Sequence, residues 1–334
     1  MAFYSYIFSA NYGRFFKNLS SVAKKEHRFF PALVVDTAWC VFRYGMALSD
    51  YLNYTLYRKS RQERLEYVST RTENEMYELV SPSRYKKRYT VKQNFLREFR
   101  EYTRRDCIVP GEDSFEAFCT FLDSNPQFMC KPYDGLGGQG VEKISAGSIS
   151  DRKAYYDQCV EQRLFLEQLV QQHLDMNVLC PASVNTLRVM TFNDHGKPEI
   201  LWLGLRVGNG VNAVDNFHAN GMGVAVDMET GRLKGNAIDK DGKEFSCHPT
   251  TGVRFDGFQL PCFAQVKELV LRGALESDKI LVVGWDIAIT PEGPVVIEAN
   301  RRPGYDLVQM VDHRGRMDIV RSVMSRAQDN RVNM

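Results

Sequence analysis

Apolar residues in the first hundred positions recur at intervals of three and four, a spacing that predicts helices. Phe3, Tyr4, Ile7, Phe8, Tyr12, Phe15 and Phe16 fall near one helical face, followed by Lys17, Lys24, Lys25 and Arg28. That face has two readings: an aromatic surface packed on the rest of the protein, or an interfacial helix resting on a membrane. Pro31 opens a second amphipathic helix, expected to run to about Tyr57. Asp36, Arg43 and Asp50 break its apolar positions too often for a membrane span. The charged stretch 59–79 predicts a surface helix. A basic run from Arg84 to Arg88 leads into a further helix over 90–102 that carries Lys92.

From Cys107 the period shortens. Strands are expected at 128–132, 141–145, 164–170, 186–192, 200–207, 223–227, 280–289 and 295–298, with helices at 114–125, 151–161 and 260–274. Thr230-Gly231-Arg232 and the run from Pro291 to Pro294 have the chemistry of hairpin turns. The pattern implies an α+β protein with largely antiparallel sheets. It divides into a helical region over 1–105 and a mixed region over 106–334, with a lobe boundary near 170.

Composition narrows the class. The 334 residues are 44% hydrophobic and 25% charged, as in an ordinary globular chain. Lys and Arg number 43 against 41 Asp and Glu, so no global field argues for nucleic acid. The eight cysteines are never closer than eleven residues, which gives no CxxC and reads as reduced thiols in a cytoplasmic protein without zinc. The longest charge-free run is the first thirteen residues, too short to span a bilayer and without the marks of a signal peptide.

Two segments carry chemistry. In FMCKPYDGLGGQGVEKI (128–144) a strand ends at Lys131, and Asp134, Gly135, Gly137, Gly138 and Gly140 form a loop before a second strand. Glycines let backbone N–H groups reach phosphate oxygens, and the preceding lysine adds a point charge. The loop is neither a Walker A motif nor a Rossmann fingerprint, since no Lys-Ser/Thr closes it and no helix follows. The competing explanation is a hairpin that merely needs glycine. The second segment, 284–304, reads as a hairpin with Asp286 on one strand and Glu298 and Asn300 on the next. Positions i and i+2 share a face, so two carboxylates and an amide oxygen can form a hard-oxygen site for Mg2+, with Mn2+ the alternative. Against that stands a solvated hairpin face. Cys130 should face away from Lys131 into the core and is not proposed as a nucleophile, and His173 and His248 read as structural or solvent-facing.

Together these segments resemble the ATP-grasp superfamily, in which ATP lies between two α+β lobes. The closest likeness is to its sugar-transfer-associated branch, carried by SVNTLR (183–188), GWDIA…GPVVIEAN and an N-terminal D…YG…DYL pattern over Asp36, Tyr44, Gly45 and Asp50 to Leu52. It extends over about nine tenths of the chain. The resemblance implies a nucleotide site built from Lys131, the glycine loop and an earlier lysine. Lys92 is the choice for that lysine, with Lys86 or Lys87 as alternatives. It further implies Glu167 and the Leu169 backbone at the adenine, Asn216 near the triphosphate, and a metal site of Asp286, Glu298 and Asn300. Arg188 and Arg206 would meet the transferred phosphate or substrate carboxylate, His218 would touch phosphate or relay a proton, and Arg301 and Arg302 would hold a substrate carboxylate. A structural ion pair is the bland alternative for Arg188 and Arg206, and a place on the surface for Arg301 and Arg302.

The activity so implied is ligation of a carboxylate to an amine, or a related nucleophile, through an acyl phosphate, with release of ADP and phosphate. The substrates would be an amino acid, a peptide, or a sugar-derived or natural-product intermediate. A kinase outcome and a non-catalytic nucleotide-binding protein are the alternatives. A homodimer and a peripheral association with membrane or glycan pathway, through the N-terminal region, complete the expectations.

Overall fold

The computed structural model describes residues 11–85, 88–89, 91–133, 140–210, 217, 221–277 and 279–332. Phe3, Tyr4, Ile7, Phe8, Lys86, Lys87, Asp134, Gly135, Gly137, Gly138, Asn216 and His218 lie outside them.

The chain opens with α1 (Tyr12–Lys25), whose first turn is capped by the Asn11 side chain accepting from the Arg14 N–H. Next come α2 (Phe30–Tyr44), with Pro31 in its first turn, and α3 (Leu48–Asn53). The single helix expected from Pro31 to Tyr57 is therefore broken. Gly45 closes α2 at φ 74°, and the side chain of Arg71 packs where a Cβ would stand. The expected surface helix over 59–79 is corrected in the same way. It is a short α4 (Arg61–Arg64) and a longer α5 (Thr70–Val80), and Met76, Tyr77 and Val80 of α5 are buried. The helix expected over 90–102 divides at Phe99 into α6 (Lys92–Glu98) and α7 (Arg100–Thr103).

A small sheet follows, in the order β1-β4-β2-β3, from β1 (Cys107–Ile108), β2 (Gln127–Pro132), β3 (Glu142–Ser145) and β4 (Leu164–Gln168). Its pairs are all antiparallel. α8 (Phe115–Ser124) and α9 (Arg152–Glu161) cover one face. Phe118, Phe121, Phe128, Cys130, Cys159 and Leu166 pack beneath them. The opposite face carries Lys131, Phe165 and Glu167, because side chains alternate along a strand.

After α10 (Leu174–Leu179) comes the large antiparallel sheet, in the order β11-β10-β5-β6-β7-β8-β9. Its strands are β5 (Thr186–Asp194), β6 (Lys197–Val207), β7 (Met222–Val226), β8 (Leu233–Asp239), β9 (Glu244–Phe245), β10 (Val282–Thr290) and β11 (Gly293–Asn300). α11 (Phe263–Glu276) packs on one face against Val189, Leu203 and Trp285, joined there by Phe95, Phe99 and Tyr102 of α6 and α7. The other face, through Met190, Phe192 and Trp202, shares one core with α1, α2, α3, α5, α12 (Asp306–Met310) and α13 (Met317–Val332). The first helices thus have no core of their own. They complete the large sheet.

Within this helical layer, Arg64 donates Nη1 and Nη2 to the two Asp36 oxygens at 2.7 and 2.8 Å and Nε to the carbonyls of Leu56 and Lys59. Tyr51 donates to the same carboxylate at 2.8 Å. The N-terminal pattern of Asp36, Tyr51 and Arg64 is therefore a buried bracket between α2, α3 and α4. All eight cysteines are free. Among the described residues no helix is long and apolar enough to cross a membrane.

Candidate functional site

The polar end of the large sheet is set by strand register. Asp286 on β10 lies between Arg188 of β5 and Glu298 of β11, and Arg206 of β6 lies opposite Thr186. Directly opposed residues share a face, so these charges stand on the side that also carries Met190 and Trp202. Arg188 donates Nε to Asp286 Oδ1 at 2.5 Å and Nη2 to Oδ2 at 3.1 Å, and Arg206 donates Nη1 to Oδ2 at 3.0 Å. Asp286 is 2% exposed. Burial pushes its carboxyl up, but the two guanidiniums outweigh burial and hold it below the ordinary range.

Glu298 has the opposite balance. Burial, then the Asp286 charge, raise its pKa. Asn300 Nδ2 donates to Glu298 Oε1 at 3.1 Å, which leaves the amide oxygen for another partner. Two carboxylates, one reluctant to ionise beside the other, and a spare amide oxygen are a donor set that a hard divalent cation suits. The residues fit such an ion, with one qualification of chemistry. Three acceptor directions of Asp286 already serve arginines, so Glu298 and Asn300 have the more open oxygens. Among the described residues no group of three or more His, Cys, Asp or Glu is arranged to hold a metal by itself.

From the small sheet, Lys131 on β2 hydrogen-bonds the buried Glu167 on β4. Burial opposes ionisation of Glu167, but Lys131 and then Arg105 hold its pKa below the ordinary value. Lys92 opens α6 close enough to Lys131, Glu298 and Glu167 to feel all three charges. Burial, then Lys131, lower its pKa. The structure thus brings Lys92, Lys131, Glu167 and Glu298 together where the two sheets meet, in a place we call the cleft. Five cations (Arg105, Lys92, Lys131, Arg188 and Arg206) face the carboxylates of Glu167, Asp286 and Glu298, an excess of positive charge that suits a polyanion.

Sequence reasoning missed Arg105. It is 6% exposed, donates Nη2 to the Ile297 carbonyl of β11 at 3.0 Å, and stands 3.9 Å from Glu167. It therefore ties the Lys131 and Glu167 side of the small sheet to the strand that carries Glu298. Its neighbour Arg104 is exposed in a left-handed turn. Nothing in the Arg104-Arg105 pair distinguishes the two, and the signal is only that the second precedes a strand edge.

The remaining candidates are dispersed. Gly140 ends the loop at φ 69° beside Pro132, and Leu169 is the first residue past β4. Arg301 donates to the Ser81 carbonyl and hydroxyl at the end of α5, and Arg302 donates to Glu78 at 2.5 Å. Both arginines fasten the end of the metal-candidate hairpin to the helical layer. His173 caps α10 and His248 hydrogen-bonds the Gly208 carbonyl.

Comparison with known families now bears on this cleft. Residues 108–325 match the family model described as "Sugar-transfer associated ATP-grasp". The chain belongs to that family. The match includes Lys131, Glu167, Arg188, Arg206, Asp286, Glu298 and Asn300, and it begins after Lys92 and Arg105. Among solved structures, similarity extends to the ATP-grasp ligase PsnB complexed with a minimal precursor, at 14% identity and a TM-score of 0.45 over 74% of this chain and 63% of that one. It extends also to the D-alanine-D-alanine ligase from Coxiella burnetii, at 11% identity and 0.43 over 73% and 60%. The ADP complex of N5-carboxyaminoimidazole ribonucleotide synthetase gives 12% and 0.39 over 66% and 46%. The chain thus spans less than two thirds of the length of each of these three. No curated protein matches the sequence.

Proposed function

We propose that this ATP-grasp protein is an ATP-dependent ligase that joins a carboxylate to an amine, or a related nucleophile, releasing ADP and phosphate. The observation that carries the reading is the convergence of Lys92 and Lys131 on the cleft that also holds Asp286 and Glu298. The two lysines crowd each other, and a bound triphosphate would relieve that repulsion.

In this reading the substrate carboxylate attacks the γ-phosphorus of ATP, the bond to the β-γ bridging oxygen breaks, and ADP leaves an acyl phosphate. The amine then attacks the acyl carbon, loses a proton, and displaces inorganic phosphate. Such a transfer needs alignment and charge neutralisation more than covalent help. Lys92 and Lys131 hold the α- and β-phosphates, and Glu167 and the Leu169 backbone border the adenine. The loop from Asp134 through Gly135, Gly137 and Gly138 to Gly140 excludes water, with Asn216 near the triphosphate. Mg2+, or Mn2+, held by Glu298, Asn300 and Asp286 would supply charge neutralisation at the phosphates. Arg188 and Arg206 orient Asp286 and present their remaining N–H groups to the transferred phosphoryl group or the tetrahedral oxyanion. His218 serves as a proton relay. Arg301 and Arg302, at the seam with α5, border the acceptor, an amino acid, peptide or sugar-derived acid.

A coupled assay of ADP and phosphate release with Mg-ATP tests this, across amino acids, amino sugars and uronic acids, singly and in pairs. ADP and phosphate in equal amounts, released only when a carboxylate and an amine are both present, is the expected result. ADP without free phosphate, with one acceptor alone, would replace the ligase by a kinase.

A further inference from the structure

The outward side of α2 is unlike any other helix surface described. Between Arg28 and Arg43 its exposed positions are Phe29, Pro31, Ala32, Val35, Ala38, Trp39 and Phe42, with no polar side chain among them. Phe29, Val35, Trp39 and Phe42 are 74%, 70%, 49% and 73% exposed. The inward side of the same helix buries Leu33, Cys40 and Val41 together with Thr37, and Asp36 turns to Arg64. A helix with apolar residues on both sides belongs between two apolar surroundings, and only one of them is the core.

Charge identifies the other. Lys24 and Lys25 in the last turn of α1, Arg28 and Arg43 flanking the stripe, and Arg61 at the start of α4 are exposed and make no ion pair among the described residues. Arg61 lies over the Trp39 ring at 5.9 Å. The nearby carboxylates are engaged: Glu26 with Arg58, Asp36 with Arg64, and Glu63 with the Ser60 N–H. Beside the stripe runs a groove of about 550 Å³ walled by Phe29, Pro31, Val35 and Trp39, with Arg61 among its lining residues. A protein partner would need hydrogen-bonding groups to meet its own, about one per 100–200 Å² of interface. Along the stripe the Trp39 indole N–H is the single such group, with Asp36, Arg61 and Arg64 lining the groove beside it, and the rest is projecting apolar bulk inside a cationic rim.

We propose that α2 docks the protein on an anionic phospholipid surface, with Phe29, Val35, Trp39 and Phe42 entering the headgroup–acyl boundary and the five cations facing lipid phosphates. Trp and basic side chains are the usual residents of that boundary. The inference is independent of the ligase reading. It places the enzyme at a membrane surface whatever acceptor the cleft takes.

The test is cosedimentation of the full chain with vesicles of phosphatidylcholine containing phosphatidylserine, against phosphatidylcholine alone. Binding is expected to the anionic vesicles, to weaken with salt, and to fall about tenfold or more in Phe42→Glu and in Val35→Glu. Both positions are solvent-facing, so melting temperatures should not change. Trp202 and Trp285 are 5% and 0% exposed, so a blue shift of emission on vesicle binding should come from Trp39 and vanish in Trp39→Phe. No binding to anionic vesicles, or binding unchanged in both glutamate variants, would overturn the proposal. So would a wild-type dimer in sedimentation equilibrium that Phe42→Glu dissociates, since the stripe would then cover a second copy.

Discussion

Two ionic networks, one half-buried in the helical layer and one buried beside the sheets, stand in one molecule and differ in how completely they are satisfied. In the helical layer, every Arg64 nitrogen has a partner, and the Asp36 carboxylate receives three hydrogen bonds. In the cleft, Arg105 Nε is buried with no partner among the described residues. Lys131 is held by a carboxylate alone, and Glu298 is reluctant to ionise beside Asp286. A closed network fixes geometry and gains nothing from a ligand. An open one carries uncompensated cost that a polyanion and a cation can remove. Under the proposed function, the contrast separates the charges that hold the fold from those that would meet a substrate.

The contrast is broken most severely at Glu298. Glu298→Gln should lower turnover by about a thousandfold or more, because it removes a charge from the cation site without changing size. Its melting temperature should not fall, since Gln carries no carboxylate to desolvate. Near-normal turnover, measured as ADP release, would mean the hairpin holds no metal.

Arg105 sharpens the comparison. If Lys131 leaves Glu167 for phosphate, Arg105 is the cation that keeps Glu167 compensated. Arg105→Gln should weaken ATP binding about tenfold, and adding Glu167→Gln should restore it by freeing Lys131. Titration calorimetry on the four members of that cycle gives the answer, and a deficit that the second substitution leaves in place would exclude the coupling.

The closed network should respond in stability alone. Asp36→Asn leaves Arg64 without its half-buried counter-ion and should cost about 1–2 kcal/mol in denaturant unfolding, with ATP affinity unchanged. A smaller effect belongs to Glu73. Burial, then Asp50 and Asp306, push its pKa up to about 8. Burial likewise raises Asp50 to about 6. For carboxyls raised on folding, the protonated form is favoured in the native state. Their contribution is complete below the unfolded values and is lost as pH rises through the folded ones. The melting temperature should therefore fall as pH rises through about 8, and Glu73→Gln should flatten that slope.

The same contrast governs what the sequence discloses. β2, β4, β5, β10 and β11 follow from short runs rich in β-forming residues, β10 being buried at every position, and Glu298 and Asn300 share a face because strands repeat every two residues. The α+β class follows from the change of period near Cys107. The helical layer was harder to read. The positions 59–79 are rich in charge, and Met76 and Tyr77 are buried by residues distant in sequence, Tyr305 and Pro303 among them. Gly45 breaks α2 where no proline announces it. β8 and β9 went unseen because Leu233–Asp239 carries Lys234, Gly235 and Asn236 on its exposed stretch, and Glu244–Phe245 is too short for a period. In the cleft, local spacing finds Lys131 and Asp286, but the partners that restrain them, Glu167 and the two arginines, lie 36 to 98 residues away. Arg105 has no local mark beyond its place before a strand edge.

The central claim is that the open network is the nucleotide site. Calorimetric titration of Mg-ATP into the wild-type chain, Lys131→Ala and Asp36→Asn tests it most directly. A charge-assisted hydrogen bond to phosphate contributes about 1.5–3 kcal/mol, so Lys131→Ala should weaken binding about tenfold or more while Asp36→Asn binds as the wild type does. Equal affinity for wild type and Lys131→Ala, or no binding by the wild type, would contradict the account.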